Sequence, residues 1–174
     1  MRLAWVSGFG HGFRVSVDLF RDALAEIGDD PAARIEIERG LAWSIHETGD
    51  VAAAEPHARA ALELAERLGE PGVLASALAD MAFFQTIRGR GIPTALIERA
   101  LELEDTEDEW RSTLGRTRSA WIHGMLLEWA GDLDAARSTL TALRDTVLAR
   151  GEEHTLGYVA SHLGRGECLA GNGE

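Results

Sequence analysis

The sequence contains no lysine, and this absence excludes several functions at once. All 17 basic residues are arginine, so the chain has no lysine for a Schiff base and none for a phosphate-binding loop. Acidic residues number 29, which gives a formal net charge of -12. Because binding to nucleic-acid phosphates requires a basic surface, we expect no direct contact of this chain with nucleic acid.

Cysteine and long apolar runs are also scarce. Cys168 is the single cysteine, which excludes an internal disulfide and a multi-cysteine zinc site and fits a reducing compartment. We expect it to be a small buried residue near the end of its helix. No stretch approaches the roughly 18 apolar residues of a membrane span, and the start of the chain lacks a secretory signal. We therefore expect a cytoplasmic protein without membrane contact.

Residues typical of β-strands are few, whereas helix formers are abundant. Alanine is the commonest residue, and leucine, glutamate and arginine are frequent; all four favour helices. Pro31, Pro71 and Pro93 stand near the start of segments in which apolar residues recur at spacings of three and four, where a helix tolerates proline. The sequence predicts an all-α fold.

Glycines that favour turns recur at a regular interval. One series, with separations of 40, 42 and 40 residues, comprises Gly49, Gly89, Gly131 and Gly171. A second series lies about halfway between them, at Gly28, Gly69 and Gly151, with the acidic run 104–109 in the place of its missing member. Two series half a period apart predict two helices per unit, and hence a repeat of about 41 residues.

The repeat divides the chain into units. A partial unit occupies residues 1–30, and helical repeats follow at 31–70, 71–106, 107–151 and, incomplete, at 152–174. A small residue lies seven positions before the turn glycine, as at Ala42, Gly124 and Gly164, and is expected to let two helices approach closely. The end units lack a partner helix, so we expect a fragment of a larger protein or a dimer that buries the end.

This pattern resembles tetratricopeptide repeats. In that family a small residue precedes the turn glycine by seven positions, and alanines follow it by about five and about twelve, as do Ala54 and Ala61 after Gly49. The match covers roughly residues 31–174, although its period exceeds the 34 residues of the family. The resemblance implies an α-α superhelix of antiparallel helix pairs, in which the first helix of each pair lines the concave wall.

A second resemblance is to the repeat region of large ATPase-containing LuxR-type transcriptional regulators from GC-rich bacteria. It is carried by phrases such as AALELAERLGEP at residues 60–71 and by the absence of lysine. In such regulators the repeats lie between a nucleotide-binding module and a DNA-binding helix-turn-helix, which implies a role in sensing or partner contact. This chain has neither a G-x-x-x-x-G-K-[ST] motif nor a basic recognition helix.

No motif for catalysis or metal binding is present. The six histidines are scattered, without the i, i+4 pair of a helical zinc site. The glycines at 8, 10 and 12 lack the spacing and the strand-helix context of a dinucleotide loop. The acidic run 98–109 lacks the spacing of a calcium loop, and we interpret it as a solvated connection between helices. We predict no cofactor, no metal and no enzyme activity.

Aromatic residues mark the candidate binding site. Trp43, Phe83, Met125 and Arg165 each lie six positions before a turn glycine, on the first helix of a unit. With others on the same helices they form a candidate concave groove, which comprises Trp43, Glu47, Phe83, Phe84, Arg88, Trp121, Met125, His162 and Arg165. The alternative is that these aromatic side chains simply pack between helices.

These features predict a noncatalytic domain that binds a protein, a peptide or a small effector as part of a bacterial transcriptional regulator. A free-standing tetratricopeptide-type adaptor is the alternative. An enzyme on this scaffold would need ionisable residues converging in one pocket, and the sequence indicates none. We also expect a homodimer through the last helix, because four apolar residues would otherwise be bare: Leu156, Val159, Leu163 and Leu169.

Overall fold

The computed structural model describes residues 12–104, 118–151 and 153–172. Within these residues the chain forms α-helices and no β-strand, so the predicted all-α class is confirmed. The helices of the described residues are α1 (Phe13–Glu26), α2 (Pro31–Glu47), α3 (Val51–Leu68), α4 (Pro71–Ile87), α5 (Thr94–Glu104), α6 (Arg118–Ala130), α7 (Leu133–Arg150) and α8 (Glu153–Leu169).

Side-chain caps and glycines set the helix boundaries. Asp30, Asp50 and Asp132 each accept a hydrogen bond from the backbone N–H three residues later, at 3.0, 2.9 and 3.2 Å, and so satisfy a donor of the first helical turn. The predicted turn glycines have the positive φ that only glycine adopts without strain: Gly49, Gly89, Gly131 and Gly171. The turns predicted from the sequence are confirmed at these four glycines.

Each helix packs chiefly against its neighbours in sequence. In addition, α4 contacts both α2 and α6, and α6 contacts α8. We call α2, α4, α6 and α8 the first helices, because each precedes a glycine of the first series: Gly49, Gly89, Gly131 or Gly171. The first helices contact one another in chain order. Helix α3 packs against α2 and α4, and helix α7 packs against α6 and α8.

The core lies mainly along the first helices. Every residue from Leu74 to Phe84 of α4 is buried, which is typical of a helix surrounded by others. By contrast, α3 buries Glu55 and a single stripe of small residues, which are Ala54, Ala58, Ala61 and Ala65. Small side chains on this stripe allow α3 to lie close to its neighbours.

The predicted close approach at small residues is confirmed at one position and wrong at another. A Cβ atom at Gly124 would lie 2.6 Å from Cδ2 of Leu140, so the missing side chain makes room for α7. At Gly164 no atom of the described residues lies within 4 Å of the corresponding point. The reason is that Gly164 is exposed, on a face of α8 that no described helix covers.

The expectation that the apolar residues of α8 are bare is wrong for three of the four. Val159 is fully buried, and Leu156 and Leu163 pack against the buried side chains of α7. Only Leu169 is strongly exposed, at 60%. The helix turns its apolar face toward the preceding helix and therefore needs no second copy to cover that face.

Two further predictions are corrected, and others fall outside the described residues. Cys168 is exposed rather than buried, as are its neighbours Leu169 and Ala170. Residues 98–104 of the acidic run belong to α5 rather than to a connection; residues 105–109 and the first glycines at 8 and 10 lie outside the described residues. No helix in the described parts of the chain is long and apolar enough to cross a membrane.

Candidate functional site

Rings on the four first helices form one continuous network. Trp43 of α2 stacks on Phe83 of α4 with ring centroids 4.5 Å apart, and it reaches Trp121 of α6 at 6.2 Å. Trp121 contacts Tyr158 of α8 at 5.7 Å. We call this network, with the other rings that touch it, the aromatic row: Trp43, His46, Phe83, Phe84, Trp121, Trp129, Tyr158 and His162.

The middle of the aromatic row is buried and its edges are open. Phe84, Phe83 and Trp43 are exposed by only 0%, 4% and 7%, so they act as core between the helices. Trp129 and Tyr158 are exposed by 43% and 46%. A partner can therefore contact the row at these edges, which we call the rim, without displacing the middle.

A buried ion pair fixes the orientation of Trp43. The two carboxylate oxygens of Asp80 accept hydrogen bonds from Nε1 of Trp43 at 2.9 Å and from Nε of Arg39 at 2.7 Å. Burial opposes the charge of Arg39, but the carboxylates of Asp80 and Glu36 outweigh it and hold the pKa of Arg39 above its usual value. The pair joins α2 to α4 and gives the indole N–H an acceptor.

A second buried carboxylate organises the other end of the row. Glu128 of α6 accepts hydrogen bonds from Nδ1 of His162 at 2.7 Å and from the guanidinium of Arg165, and its side chain is only 1% exposed. His162 in turn meets the ring of Trp121 edge-on, with centroids 5.8 Å apart. This cluster joins α6 to α8 and compensates a charge that would be costly to bury alone.

Two polar atoms of the row are buried and have no hydrogen-bond partner in the described part of the chain. They are Nε1 of Trp121 and Nδ1 of His46. Burial lowers the pKa of His46 against the opposing effect of Glu47, which favours the neutral imidazole at pH 7. A buried donor without an acceptor is rare in proteins and marks a place that water or a ligand atom can satisfy.

The predicted groove residues are placed in different ways. Five of them join the aromatic row, namely Trp43, Phe83, Phe84, Trp121 and His162. Arg165 borders the row through Glu128, whereas Met125 is a core residue. Glu47 is exposed at the end of α2, and Arg88 turns toward Glu55 of α3, at 3.4 Å.

The sequence prediction did not include Trp129 and Tyr158, the two exposed residues of the rim. Trp129 lies two residues before Gly131, and Tyr158 lies on α8 before the small residue of that unit. Repeat offsets could have found Trp129, because Glu47 stands at the same distance from Gly49. The charged partners Asp80 and Glu128 carry no local signal, since each acts through a residue on another helix. Within the described residues, no group of His, Cys, Asp or Glu side chains could hold a metal ion.

Comparison with known proteins identifies the fold but no family. No family model and no curated protein matches the chain. Among solved structures 26 chains match, including the crystal structure of BtubC (BKLC) from P. vanneervenii, with a TM-score of 0.67 and 21% sequence identity. That match covers 98% of this chain and 71% of BtubC. At this level of identity it shows a shared arrangement of helices and nothing about activity.

Proposed function

We propose that the chain is a noncatalytic helical-repeat domain that binds a peptide segment of a protein partner along the rim of the aromatic row. The exposure of Trp129 and Tyr158, each more than two-fifths accessible, carries this proposal. Both rings pack on others of the row, so little conformational freedom is lost on binding. Aromatic side chains held in this way are common anchors of protein interfaces.

The arrangement of the first helices supports the proposal. The contacts of α2 with α4, of α4 with α6 and of α6 with α8 are compatible with a tetratricopeptide-like superhelix whose concave side is formed by these helices. In such repeat proteins an extended surface, rather than a closed pocket, receives the partner. A segment that follows the rim would meet side chains from several helix pairs.

Polar atoms at the row favour a peptide over a purely apolar ligand. The N–H of Trp121 is buried and has no acceptor among the described residues; a shift of this ring on binding would bring it to a backbone carbonyl of the bound segment. Such a bond would remove the cost of a buried unsatisfied donor, about 1–3 kcal/mol. A small effector with a carbonyl group would satisfy the same donor, and we keep it as the second type of ligand.

In the wider proposal this domain is the sensing or partner-contact region of a cytoplasmic bacterial transcriptional regulator. A free-standing adaptor would use the same surface and differ only in the modules attached to it. An enzyme is less favoured, because the buried carboxylates of Asp80 and Glu128 are each occupied by an arginine. A homodimer through α8 would rest on Leu169 and Tyr158 rather than on the leucines that pack against α7.

Selection from a random peptide library displayed on phage, with peptides of about 12 residues, tests the proposal. Calorimetric titration of selected peptides should show affinity losses of about tenfold or more for Trp129→Ala and for Tyr158→Ala. Leu148→Ala is the matched control, because Leu148 is 55% exposed on α7 and lies outside the row. Failure to enrich any peptide, or equal affinity of the rim variants and the wild type, would contradict the proposal.

A further inference from the structure

The turn end of the aromatic row combines aromatic rings with a free carboxylate. Glu47 and Trp129 each lie two residues before a turn glycine, on α2 and α6. Phe83 lies on α4, the helix that contacts both α2 and α6, and its ring centroid is 5.1 Å from that of His46, the neighbour of Glu47, and 5.9 Å from that of Trp129. We call Glu47, His46, Phe83 and Trp129 the turn-end patch.

The patch carries a negative charge on Glu47 that none of the described residues neutralises by an ion pair. Glu47 is exposed and forms no hydrogen bond or ion pair in the described parts of the chain. The arginines that follow α4 are directed elsewhere: Nε of Arg88 lies 3.4 Å from Glu55 of α3, and Arg90 donates to the same carboxylate at 3.0 Å. Burial lowers the pKa of His46 against the opposing effect of Glu47, which favours its neutral ring at pH 7.

A cation is the group that this patch is suited to receive. The face of an indole attracts a guanidinium or ammonium group that lies within about 6 Å of the ring, and Trp129 has 43% of its surface open. The carboxylate of Glu47 adds a charged acceptor, and the net charge of -12 draws cationic partners toward the whole molecule. An anionic segment would face repulsion on both counts.

We infer that the turn-end patch binds an arginine or lysine side chain of the bound segment, so that the partner is a basic peptide. This inference rests on the proposed function and specifies the partner for the same rim. The cation would stack on Trp129 while its N–H groups donate to Glu47. The apolar stem of the side chain would cover Phe83.

Two labelled peptides with one sequence framework test the inference. One carries arginines and the other carries citrulline, which is neutral and has nearly the same shape, at the same positions. Fluorescence anisotropy should show the arginine peptide binding about tenfold more tightly, and Trp129→Leu and Glu47→Gln should each reduce its affinity by about fivefold. Glu63→Gln provides the charge-matched control, because Glu63 is exposed on α3; it should change the affinity by less than about twofold.

The outcomes separate this inference from the proposed function. Equal binding of both peptides, weakened by Trp129→Leu, would overturn the cationic preference and leave peptide binding intact. An equal loss for Glu63→Gln and Glu47→Gln would also overturn it, since net charge alone would then account for the affinity. Failure of both peptides together with an empty phage selection would refute the proposed function itself.

Discussion

At the scale of single residues, Gly124 and Gly164 have the same place in the repeat and opposite surroundings. Both lie seven residues before a turn glycine. A side chain at Gly124 would overlap Leu140, whereas a side chain at Gly164 would meet open space. The small residue is therefore required for packing at the first position and only lowers helix propensity at the second.

The two glycines should respond to alanine in opposite directions. Gly124→Ala should lower the free energy of unfolding by about 1–2 kcal/mol, because overpacking against buried Leu140 exceeds the gain in helix propensity. Gly164→Ala should raise it by about 0.5–1 kcal/mol. Urea denaturation followed by far-UV circular dichroism measures both. A loss of stability in Gly164→Ala would show that α8 has a neighbour at that point.

The buried pair of Arg39 and Asp80 gives a second prediction at this scale. Asp80→Leu should lower the free energy of unfolding by about 3–5 kcal/mol, because it leaves a buried guanidinium without its main counter-charge. The double variant Arg39→Met with Asp80→Leu should recover part of the loss, since no unpaired charge remains. If the double variant were less stable than Asp80→Leu, the pairing would not be the source of the effect.

At the scale of helices, equivalent positions in two helix pairs carry opposite charges, and each forms an ion pair with a residue of the next helix pair. The sixth residue after the turn glycine is Glu55 in α3 and Arg137 in α7. Glu55 pairs with Arg59 and Arg90. Arg137 instead pairs with Glu167 of α8, and its Nη2 donates a hydrogen bond to Oε2 of Glu167 at 3.1 Å. The charge at this repeat position is therefore exchanged between the two helix pairs.

Glu55 should make stability depend on pH. Burial opposes the charge of Glu55, but hydrogen bonds from Arg90 and Arg59 outweigh it and lower its pKa in the folded chain. The unfolded state therefore binds its proton at higher pH, so the contribution of Glu55 is present above about pH 4.3 and is lost as the pH falls through the folded-state value.

Urea denaturation over the range from pH 7 to pH 3 measures this contribution. The wild type should lose stability more steeply toward acid than Glu55→Gln, whose side chain does not titrate. Asp134→Asn serves as a control, because the Asp134 side chain is 96% exposed. Parallel curves for the wild type and Glu55→Gln would contradict the linkage.

At the scale of the whole molecule, the buried apolar residues fall into two clusters. The larger cluster extends from α1 to α6. The smaller consists of four buried side chains of α7 and α8: Leu140, Leu143, Val147 and Val159. Since a chain of stacked helix pairs opens locally where its contacts are fewest, α7 and α8 should open before the rest.

Hydrogen exchange read by mass spectrometry tests this order. Amides of α7 and α8 should exchange faster than those of α2 to α4 in the native state. Val147→Ala, which creates a cavity costing about 1–3 kcal/mol, should accelerate exchange in α7 and α8 and leave α2 to α4 unchanged. Equal acceleration along the chain would instead indicate a single cooperative unit.

Local properties of the sequence were sufficient for the helices and their turns. Spacings of three and four place apolar residues on one helical face, and a glycine with positive φ ends a helix whatever surrounds it. For this reason the all-α class and the turns at Gly49, Gly89 and Gly131 could be predicted. The shared offset before those glycines also brought Trp43 and Phe83 into one candidate site.

Only the tertiary structure decided which of those rings are open and which are core. Exposure depends on how each helix is rotated against its neighbours, and no spacing within one helix records that rotation. Arg39 and Asp80 are one repeat period apart, yet their pairing requires that α2 and α4 turn these side chains toward each other. The same cause buried Val159 against α7 and left Trp129 at the surface.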